Sequence, residues 1–578
     1  MPDYYVDFNR GSDSNAGTSS ALPWKNLSKI SALSAAALPA GCIINLRDDS
    51  IWDLQETLSA NNFLGWNNFQ NGASGSPITI ASYGGVDKPK ISYTMVPQAA
   101  WWTWDATVGA WYLELATAIW GRGGFGVIVG GTYAISAGGG MQAGAASVIN
   151  TIVGTNGVTI DTLRWVVPAG GTRLYVAGGG IGPGVDPTTY YGYGNVIIYP
   201  SAPITGWQSF VNTHIDGIEF AGGGILYLTY GAGTLNIPGT EIRNCSGSGL
   251  GGIVQTVANT TATDSLIEVN VYDNDFSNIT RMGVYLTGPI TGRTYRNRFS
   301  HGNLCQSAGG FVYMQIKRNT GGHAVYSVED NYAEYATHGV GERQFDGSCY
   351  YADAGDDGTQ FLRNVAAHSF KGYQLNSGKQ NLLAANVAFD CCKFGTFTDA
   401  EAVGASDYTL VHNLWVSSMT PDSYPHGAAD NANSAFSLWC NIGSTITGAK
   451  LQNNMLVVRG SGWSNTVGIL AYPTTMWTGA GVSGLTIDTN AVIGGQISKY
   501  ITASNDTTDK SSIYLGTVIG SGAGVGYLNG LPSGLASLEC LNTGTDTQIA
   551  GLVDFNGNAF QAIPSIGAFE PQTLARCI

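Results

Sequence analysis

A motif centred on asparagine, seen in LRNVA (362–366) and VHNLW (411–415), recurs along the middle of this 578-residue chain. The recurring residues are Asn244, Asn274, Asn297, Asn331, Asn364, Asn386, Asn413, Asn454 and Asn490, at spacings of 30, 23, 34, 33, 22, 27, 41 and 36 residues. The minimum spacing fits one bare coil of a parallel β-solenoid, and the excess fits loops inserted at the turns. One asparagine per coil can stack on its copies and form hydrogen bonds along the solenoid axis. The repeat therefore predicts an all-β chain with a parallel β-helix from about residue 215 to 500.

Composition agrees with a folded, glycine-rich β protein. Glycine accounts for 81 residues, about twice its usual share, and only 11% of residues are charged. The hydrophobic content of 44% excludes a disordered chain. The net charge of −14 argues against partners such as nucleic acid or an anionic membrane surface. No apolar run is long enough to insert into a membrane.

The N-terminus and the cysteines bear on localisation. The opening MPDYYVDFNRGSDSN has no basic segment followed by an apolar one, so we expect no signal peptide. The nine cysteines include the adjacent Cys391 and Cys392, which fit buried thiols better than a disulfide framework.

Glycine-led strands precede several of the asparagines and share a four-residue pattern. These quartets are VYLT (284–287), VYMQ (312–315), YYAD (350–353), YQLN (373–376) and TFTD (396–399). Alternation along a strand points the first and third residues to one face and the second and fourth to the other. We expect the first and third residues to be mostly interior and the second and fourth to form an outward face. An alignment error of one residue would move every side chain of a strand to the opposite face.

At this point the sequence resembles a known group. The opening YYVDFNRGSDSNAGTSSALPWKNLSKI, the phrase GSPITIASYGGVDKPKIS (75–92) and PSIGAFEP (564–571) are similar to segments of right-handed parallel β-helix proteins. This pectate-lyase-like group includes polysaccharide-degrading enzymes and bacteriophage tailspike depolymerases. The resemblance implies an all-β, right-handed parallel β-helix with an N-terminal capping helix, but the fold carries hydrolases, lyases and esterases alike.

Four regions are predicted along the chain. Residues 1–95 hold the cap, with a helix in WKNLSKISALSAAAL, and the first coils. Residues 96–210 are expected to form an inserted antiparallel β subdomain. Residues 211–500 form the parallel β-helix that carries the site, and 501–578 cap its C-terminal end, because terminal coils otherwise expose strand edges.

Asp353 and Asp399 are the first candidates for catalysis. Both occupy the fourth quartet position, with Asn376 between them, so they are predicted to lie two coils apart in one outward column. Two coils span roughly 9.5 Å. Inverting glycosidases hold their acid and base carboxyls about 6.5–9.5 Å apart. An outer face with two solvated aspartates is the plain alternative.

Other acids surround this pair. Glu342 and Asp346 form a reserve catalytic pair on the segment that leads into the Asp353 strand. Asp356 and Asp357, before Gly358, match a turn in which aspartate accepts backbone hydrogen bonds. With Asp353 they offer some calcium ligands, but their spacing is not that of an EF-hand, so we expect no metal or other cofactor.

Aromatic and amide side chains in the outward columns suit sugar binding, because sugar rings stack on aromatic rings while their hydroxyls need polar partners. The predicted substrate-binding residues are Tyr285, Tyr313, Gln315, Tyr351, Gln374, Asn376 and Phe397. Aromatic side chains also line solenoid faces for stability alone.

Three functions remain open. The first is a tailspike-type endo-glycosidase that cuts a bacterial O-antigen or capsule; the resemblance implies a homotrimer on a virion tail, attached through a part absent from this sequence. The second is a polysaccharide lyase, in which calcium can assist and for which Arg343, Lys371 and Lys379 are available. The third is a non-catalytic glycan-binding spike. A secreted bacterial protein is the alternative localisation.

Overall fold

The computed structural model describes residues 3–515 except 54–74, 93, 95, 115–125, 130–131, 134, 137–163, 167–172, 179, 194, 200–211, 230–235, 258–265, 280–281, 303–307, 317–324, 337–345, 354, 400–403, 418–433, 441–444, 459–467, 472–481, 484–485, 489–490 and 494–513. The chain divides into two compact units. Unit 1 comprises Met1–Gly288, Asn297–Val312 and Thr337–Gly347; unit 2 comprises Pro289–Arg296, Tyr313–Ala336 and Ser348–Ile578.

The fold is a right-handed parallel β-helix built from three long sheets, as the asparagine repeat and the resemblance predict. Each coil contributes one short strand to the first sheet, one to the second and, in most coils, one to the third. Within each sheet, a strand pairs in parallel with the corresponding strand of the next coil. Within the described residues, no helix is long and apolar enough to cross a membrane.

Unit 1 contains the first coils. Its first-sheet strands are Asp3–Val6, Ile43–Arg47, Ile78–Tyr83, Thr213–Asp216, Asn236–Arg243 and Leu266–Tyr272. Its second-sheet strands are Ile51–Asp53, Lys90–Ser92, Glu219–Ala221, Ser246–Ser248, Asp275–Ile279 and Arg298–Gly302. Its third-sheet strands are Gly224–Thr229, Gly252–Val257, Val284–Gly288 and the first part of Ala308–Ile316.

Unit 1 also contains two smaller sheets within the predicted insertion. One consists of Thr103–Asp105, Ala110–Glu114, Ile135–Ser136, Arg164–Val166 and Arg173–Ala177; the other consists of Gly126–Val129, Thr132–Tyr133 and Val196–Tyr199. Their pairings are antiparallel except that between Ile135–Ser136 and Arg164–Val166. A helix at Pro187–Tyr191 and a 3₁₀ turn at Ala99–Trp101 accompany them.

Unit 2 has the same three-sheet pattern. Its first-sheet strands are Ile290–Tyr295, Tyr326–Glu329, Gln360–Leu362, Leu382–Ala384, Thr409–Val411, Lys450–Gln452 and Thr486–Asp488. Its second-sheet strands are Tyr332–Ala336, Val365–Ala367, Val387–Phe389, Leu414–Ser417, Met455–Val458, Ala491–Ile493 and Tyr514–Leu515. Its third-sheet strands are the end of Ala308–Ile316, most of Asp346–Ala352, and Lys371–Asn376, Lys393–Asp399, Ser434–Cys440 and Gly468–Ala471. A small parallel sheet joins Ala405–Ser406, Ile446–Thr447 and Val482–Ser483.

The corner between the first and second sheets explains the asparagine repeat. One residue there has a positive φ of 52–57°, and the next is the motif asparagine, whose side chain turns into the interior; the positive-φ residues are Asp273, Arg296, Asp330, Arg363, Ala385, His412 and Asn453. In unit 2, the Nδ2 of each asparagine donates to the Oδ1 of the next, at 2.9 Å for Asn331 to Asn364 and 3.0 Å for Asn413 to Asn454. We call this chain of side chains the asparagine ladder.

The first and last asparagines of the predicted repeat are exceptions. Asn244 is wrongly assigned to the ladder, because it is itself the positive-φ residue (52°) and Cys245 occupies the ladder position, where its backbone N–H donates to Asn274. Asn490 lies outside the described residues.

The predicted capping helix is much shorter than expected. Only Ser28–Ser31 is α-helical, and Ala35–Ala37 is a 3₁₀ turn. Leu27, Ile30 and Leu38 are buried. These apolar residues of the segment therefore pack into the interior, although a long helix is not formed. Isolated helices of about a dozen residues are marginal, so packing decides how much of the segment is helical.

Candidate functional site

The outward face of the third sheet in unit 2 carries most of the predicted site residues. In the observed register, Tyr351 pairs with Gln374 and Ala352 pairs with Leu375. This is the predicted alignment of the quartets YYAD and YQLN. It places Asp353 and Asn376 at corresponding ends of adjacent strands.

The predicted alignment of the next strand, Lys393–Asp399, is wrong by one residue. Asn376 pairs with Thr398, not Asp399, and Leu375 pairs with Phe397. The cause lies in the interior, where Tyr350 stacks on Tyr373 and Tyr373 stacks on Phe394 with ring centroids 5.2 and 4.8 Å apart. When Phe394 continues this stack, Gly395 pairs with Tyr373. The later residues of the strand are then paired in the same register.

Asp399 is therefore absent from the outward column of Asp353. It is fully buried, and its Oδ2 accepts hydrogen bonds from the backbone N–H groups of Gly404 (3.1 Å) and Thr445 (2.9 Å). These contacts anchor two chain segments at the strand end. The predicted Asp353–Asp399 column does not form.

Phe397 is likewise misplaced in the predicted aromatic column. Its side chain is 1% exposed, and it pairs with the buried Leu375. The outward positions of this strand belong instead to Thr396 and Thr398, which pair with Gln374 and Asn376.

Asp353 lies at the centre of a side-chain hydrogen-bond network on this face. The Tyr313 hydroxyl donates to its Oδ2, and the Asn376 Nδ2 donates to its Oδ1 at 2.6 Å. Gln315 Nε2 donates to the Tyr313 hydroxyl oxygen at 3.2 Å. Asp353 is 9% exposed, so its carboxylate is almost surrounded by these partners.

The network continues beyond Asn376 to residues that the sequence analysis did not select. Thr398 Oγ1 and Ser377 Oγ both donate to the Asn376 Oδ1, at 2.8 and 3.0 Å. These residues were missed because the predicted register was wrong. The observed register pairs Thr398 with Asn376.

The remaining predicted residues fall in different places. Tyr285 lies in Val284–Gly288 of unit 1, where it is half-buried and pairs with Gln255. Glu342 lies outside the described residues, and Asp346 begins the strand Asp346–Ala352 without a described side chain.

Asp356 anchors a turn rather than facing outward. It is fully buried, and it accepts from the Ile316 N–H (2.6 Å), the Thr359 hydroxyl (3.0 Å) and the Asn381 amide (2.5 Å). Burial raises its pKa to about 6, although these hydrogen bonds work in the opposite direction. Among the described residues, no cluster of three or more His, Cys, Asp or Glu side chains could hold a metal ion.

Two lysines complete the chemistry of this sheet. Lys371 and Lys393 pair in register on adjacent strands, and both are buried. Their ammonium nitrogens lie 5.9 and 5.8 Å from the centre of the Phe370 ring. Both strands begin with lysine, in KGYQLN and KFGTFTD. This shared first residue is the sequence feature from which the pairing of the two lysines could have been predicted. Lys379 is exposed, and Arg343 lies outside the described residues.

No protein family and no curated protein matches the sequence. Among solved structures, the chain is similar to XylC in complex with xylose, at 11% identity, 98% coverage of both chains and a TM-score of 0.46. It is similar to the GH136 lacto-N-biosidase of Eubacterium ramulus at 12% identity, 85% and 67% coverage and a TM-score of 0.40. It is also similar to the Pseudomonas phage phi297 tailspike gp61 at 11% identity, 82% and 74% coverage and a TM-score of 0.20.

Proposed function

We propose that this chain is a tailspike-type depolymerase, an endo-glycosidase that cleaves a bacterial surface polysaccharide such as an O-antigen or a capsule. The observation that carries the proposal is Asp353, an outward carboxylate held by hydrogen bonds beside tyrosine and amide side chains. A glycosidase needs a carboxylate at fixed geometry next to the sugar, and a rigid sheet face provides that geometry.

In this proposal Asp353 is one of two catalytic groups. General acid–base hydrolysis needs a second group that protonates the leaving oxygen while the first activates water or attacks the sugar. Glu342 and Asp346 remain the sequence candidates for the second group, because they precede the Asp353 strand. Gln315, which is half-buried on the same face, is proposed to contact the saccharide, whereas Tyr351 and Gln374 are only 1% and 3% exposed and offer it little surface.

The experiment is incubation with lipopolysaccharides and capsules from a panel of bacteria, followed by mass spectrometry of the released oligosaccharides. We expect discrete fragments whose masses include one added water per cleavage. Binding of a polysaccharide without fragments would contradict the proposal and indicate a glycan-binding spike. A protein that neither binds nor cleaves any of these polysaccharides would contradict the hydrolase, the lyase and the glycan-binding spike alike.

A lyase is the second candidate, and the exposed Lys379 is the observation that favours it, whereas Lys371 and Lys393 are buried. β-Elimination on a uronate needs cationic groups near the sugar carboxylate. The products distinguish the two reactions, because elimination leaves a double bond that absorbs in the ultraviolet and hydrolysis does not. Ultraviolet-absorbing fragments without added water would replace the hydrolase proposal by the lyase.

The proposal includes assembly and location. The sequence resemblance implies a homotrimer carried on a virion tail. Light scattering at micromolar concentration is expected to give three times the chain mass of 60.5 kDa. A single-chain mass would contradict the trimer while leaving the catalytic proposal intact.

A further inference from the structure

We infer that Tyr313 and Asn376 are positioning residues that hold Asp353 as a hydrogen-bond acceptor, and so assign it the role of base or nucleophile rather than acid. The inference rests on the proposed function, since it specifies how the proposed catalytic carboxylate acts. It also changes the role of Tyr313 and Asn376, which the sequence pattern alone assigns to substrate binding.

The surroundings of Tyr313 fit positioning better than sugar stacking. Its side chain is 4% exposed, and its ring meets the Tyr351 ring edge-on with centroids 4.9 Å apart. A ring this enclosed offers no free face to a sugar. Its hydroxyl is used instead, because it donates to Asp353 while accepting from Gln315.

The Asn376 amide lies between Asp353 and two hydroxyl groups. Its Oδ1 accepts hydrogen bonds from the Thr398 and Ser377 hydroxyls, and its Nδ2 donates to Asp353. An amide nitrogen has only donors. The network therefore gives the direction of the Asn376–Asp353 hydrogen bond, with Asp353 as acceptor.

Both oxygens of Asp353 thus accept a hydrogen bond from a nearly buried donor. Both donors are matched by an unprotonated Asp353, because an ionised carboxylate can only accept hydrogen bonds. A carboxylate with both donors in place keeps its remaining lone pairs for a water molecule or an anomeric carbon. The proton for the leaving oxygen must then come from another group, in agreement with the second catalytic group of the proposed function.

The test separates kcat from KM for Tyr313→Phe and Asn376→Ala, measured by reducing-end release from the polysaccharide that the panel identifies. We expect kcat to fall about 10–100-fold with KM within about threefold, because a misplaced catalytic group slows the reaction without weakening substrate binding. Tyr326→Phe is the matched control, because it removes another buried phenol of unit 2, bonded to Thr294.

The outcomes distinguish this inference from the proposed function. If Asp353→Asn is inactive while Tyr313→Phe and Asn376→Ala keep the wild-type kcat, the positioning role is wrong and the proposed function stands. A higher KM at unchanged kcat would restore Tyr313 and Asn376 as substrate contacts and overturn the inference. Full activity of Asp353→Asn, or a panel without any substrate, would remove the proposed function and the inference with it.

Discussion

At the residue scale, buried polar side chains in this molecule form specific hydrogen bonds that connect neighbouring coils. Asn386 shows this most fully, because its Oδ1 accepts from both the N–H and the side chain of Asn364. Its Nδ2 donates to the Phe361 carbonyl (2.8 Å) and to the Asn413 Oδ1 (3.1 Å). Every hydrogen-bonding atom of the side chain is therefore used inside the solenoid, where unmet polar groups are costly.

Asn386→Asp is expected to lower the free energy of unfolding by about 3 kcal/mol or more, because a carboxylate would face two acceptors in a buried site. Asn244→Asp is the matched control. Asn244 lies on the surface, where its amide donates to Asp216, so we expect a loss below about 1 kcal/mol. Denaturant titration measures both, and equal losses would show that the asparagine ladder contributes no special stability.

Asp356 predicts a pH dependence of stability. Its pKa of about 6 in the folded protein exceeds the value of 3.8 for an unperturbed aspartate, so the native state binds the proton more tightly than the unfolded state. Stability from this group is complete below about pH 4 and is lost as the pH rises through 6. The full contribution is about 3 kcal/mol.

Asp356→Asn is expected to remove this pH dependence, because the amide stays neutral. Asn381 can reverse its own amide to match, since its Oδ1 has no hydrogen-bond partner among the described residues. Unfolding free energies of both proteins at pH 4 and pH 7.5 provide the measurement. A difference between the two proteins that stays constant with pH would show that Asp356 does not titrate in this range.

At the element scale, the sequence predicts most strands of the third sheet but misaligns one. Alternation assigns Val284, Leu286, Val312, Met314 and Leu375 to the interior, and all five are fully buried. The misalignment at Lys393–Asp399 arises because the quartet pattern aligns glycines with each other, whereas the interior aligns aromatic rings. Stacking depends on side chains from neighbouring coils, and a single strand read alone does not contain that information.

Gly395→Ala tests the observed register. A Cβ at this position would come within 2.6 Å of the Tyr373 carbonyl oxygen and 2.9 Å of the Phe397 ring. We expect a loss of about 1–3 kcal/mol, as for other overpacked interiors. Gly182→Ala, where a Cβ meets no atom within 4 Å, is expected to be neutral or slightly stabilising. Equal melting temperatures for the two variants would contradict the register.

At the scale of the whole molecule, the repeat period is the most informative part of the sequence. It predicts the coils between residues 215 and about 500, whereas the first coils, predicted within residues 1–95 and formed by Asp3–Val6, Ile43–Arg47 and Ile78–Tyr83, lie outside its range. These first coils lack the asparagine motif, so the period does not reveal them. The site was harder to predict, because a solenoid face gathers residues from several coils and one slip moves a carboxylate from the surface to the interior.

The central claim is that Asp353, and not Asp399, is the catalytic carboxylate. Asp353→Asn, Asp399→Asn and the exposed control Asp275→Asn are compared by depolymerisation rate per folded molecule and by melting temperature. We expect Asp353→Asn to lose about 10²–10⁴-fold in rate while staying folded, because an acid–base group is removed.

Asp399→Asn is expected to melt earlier, since it weakens the anchor for Gly404 and Thr445, and to retain its rate per folded molecule. Asp275→Asn should change neither quantity. A folded Asp353→Asn variant with near-normal depolymerisation, beside a folded but inactive Asp399→Asn variant, would contradict the account.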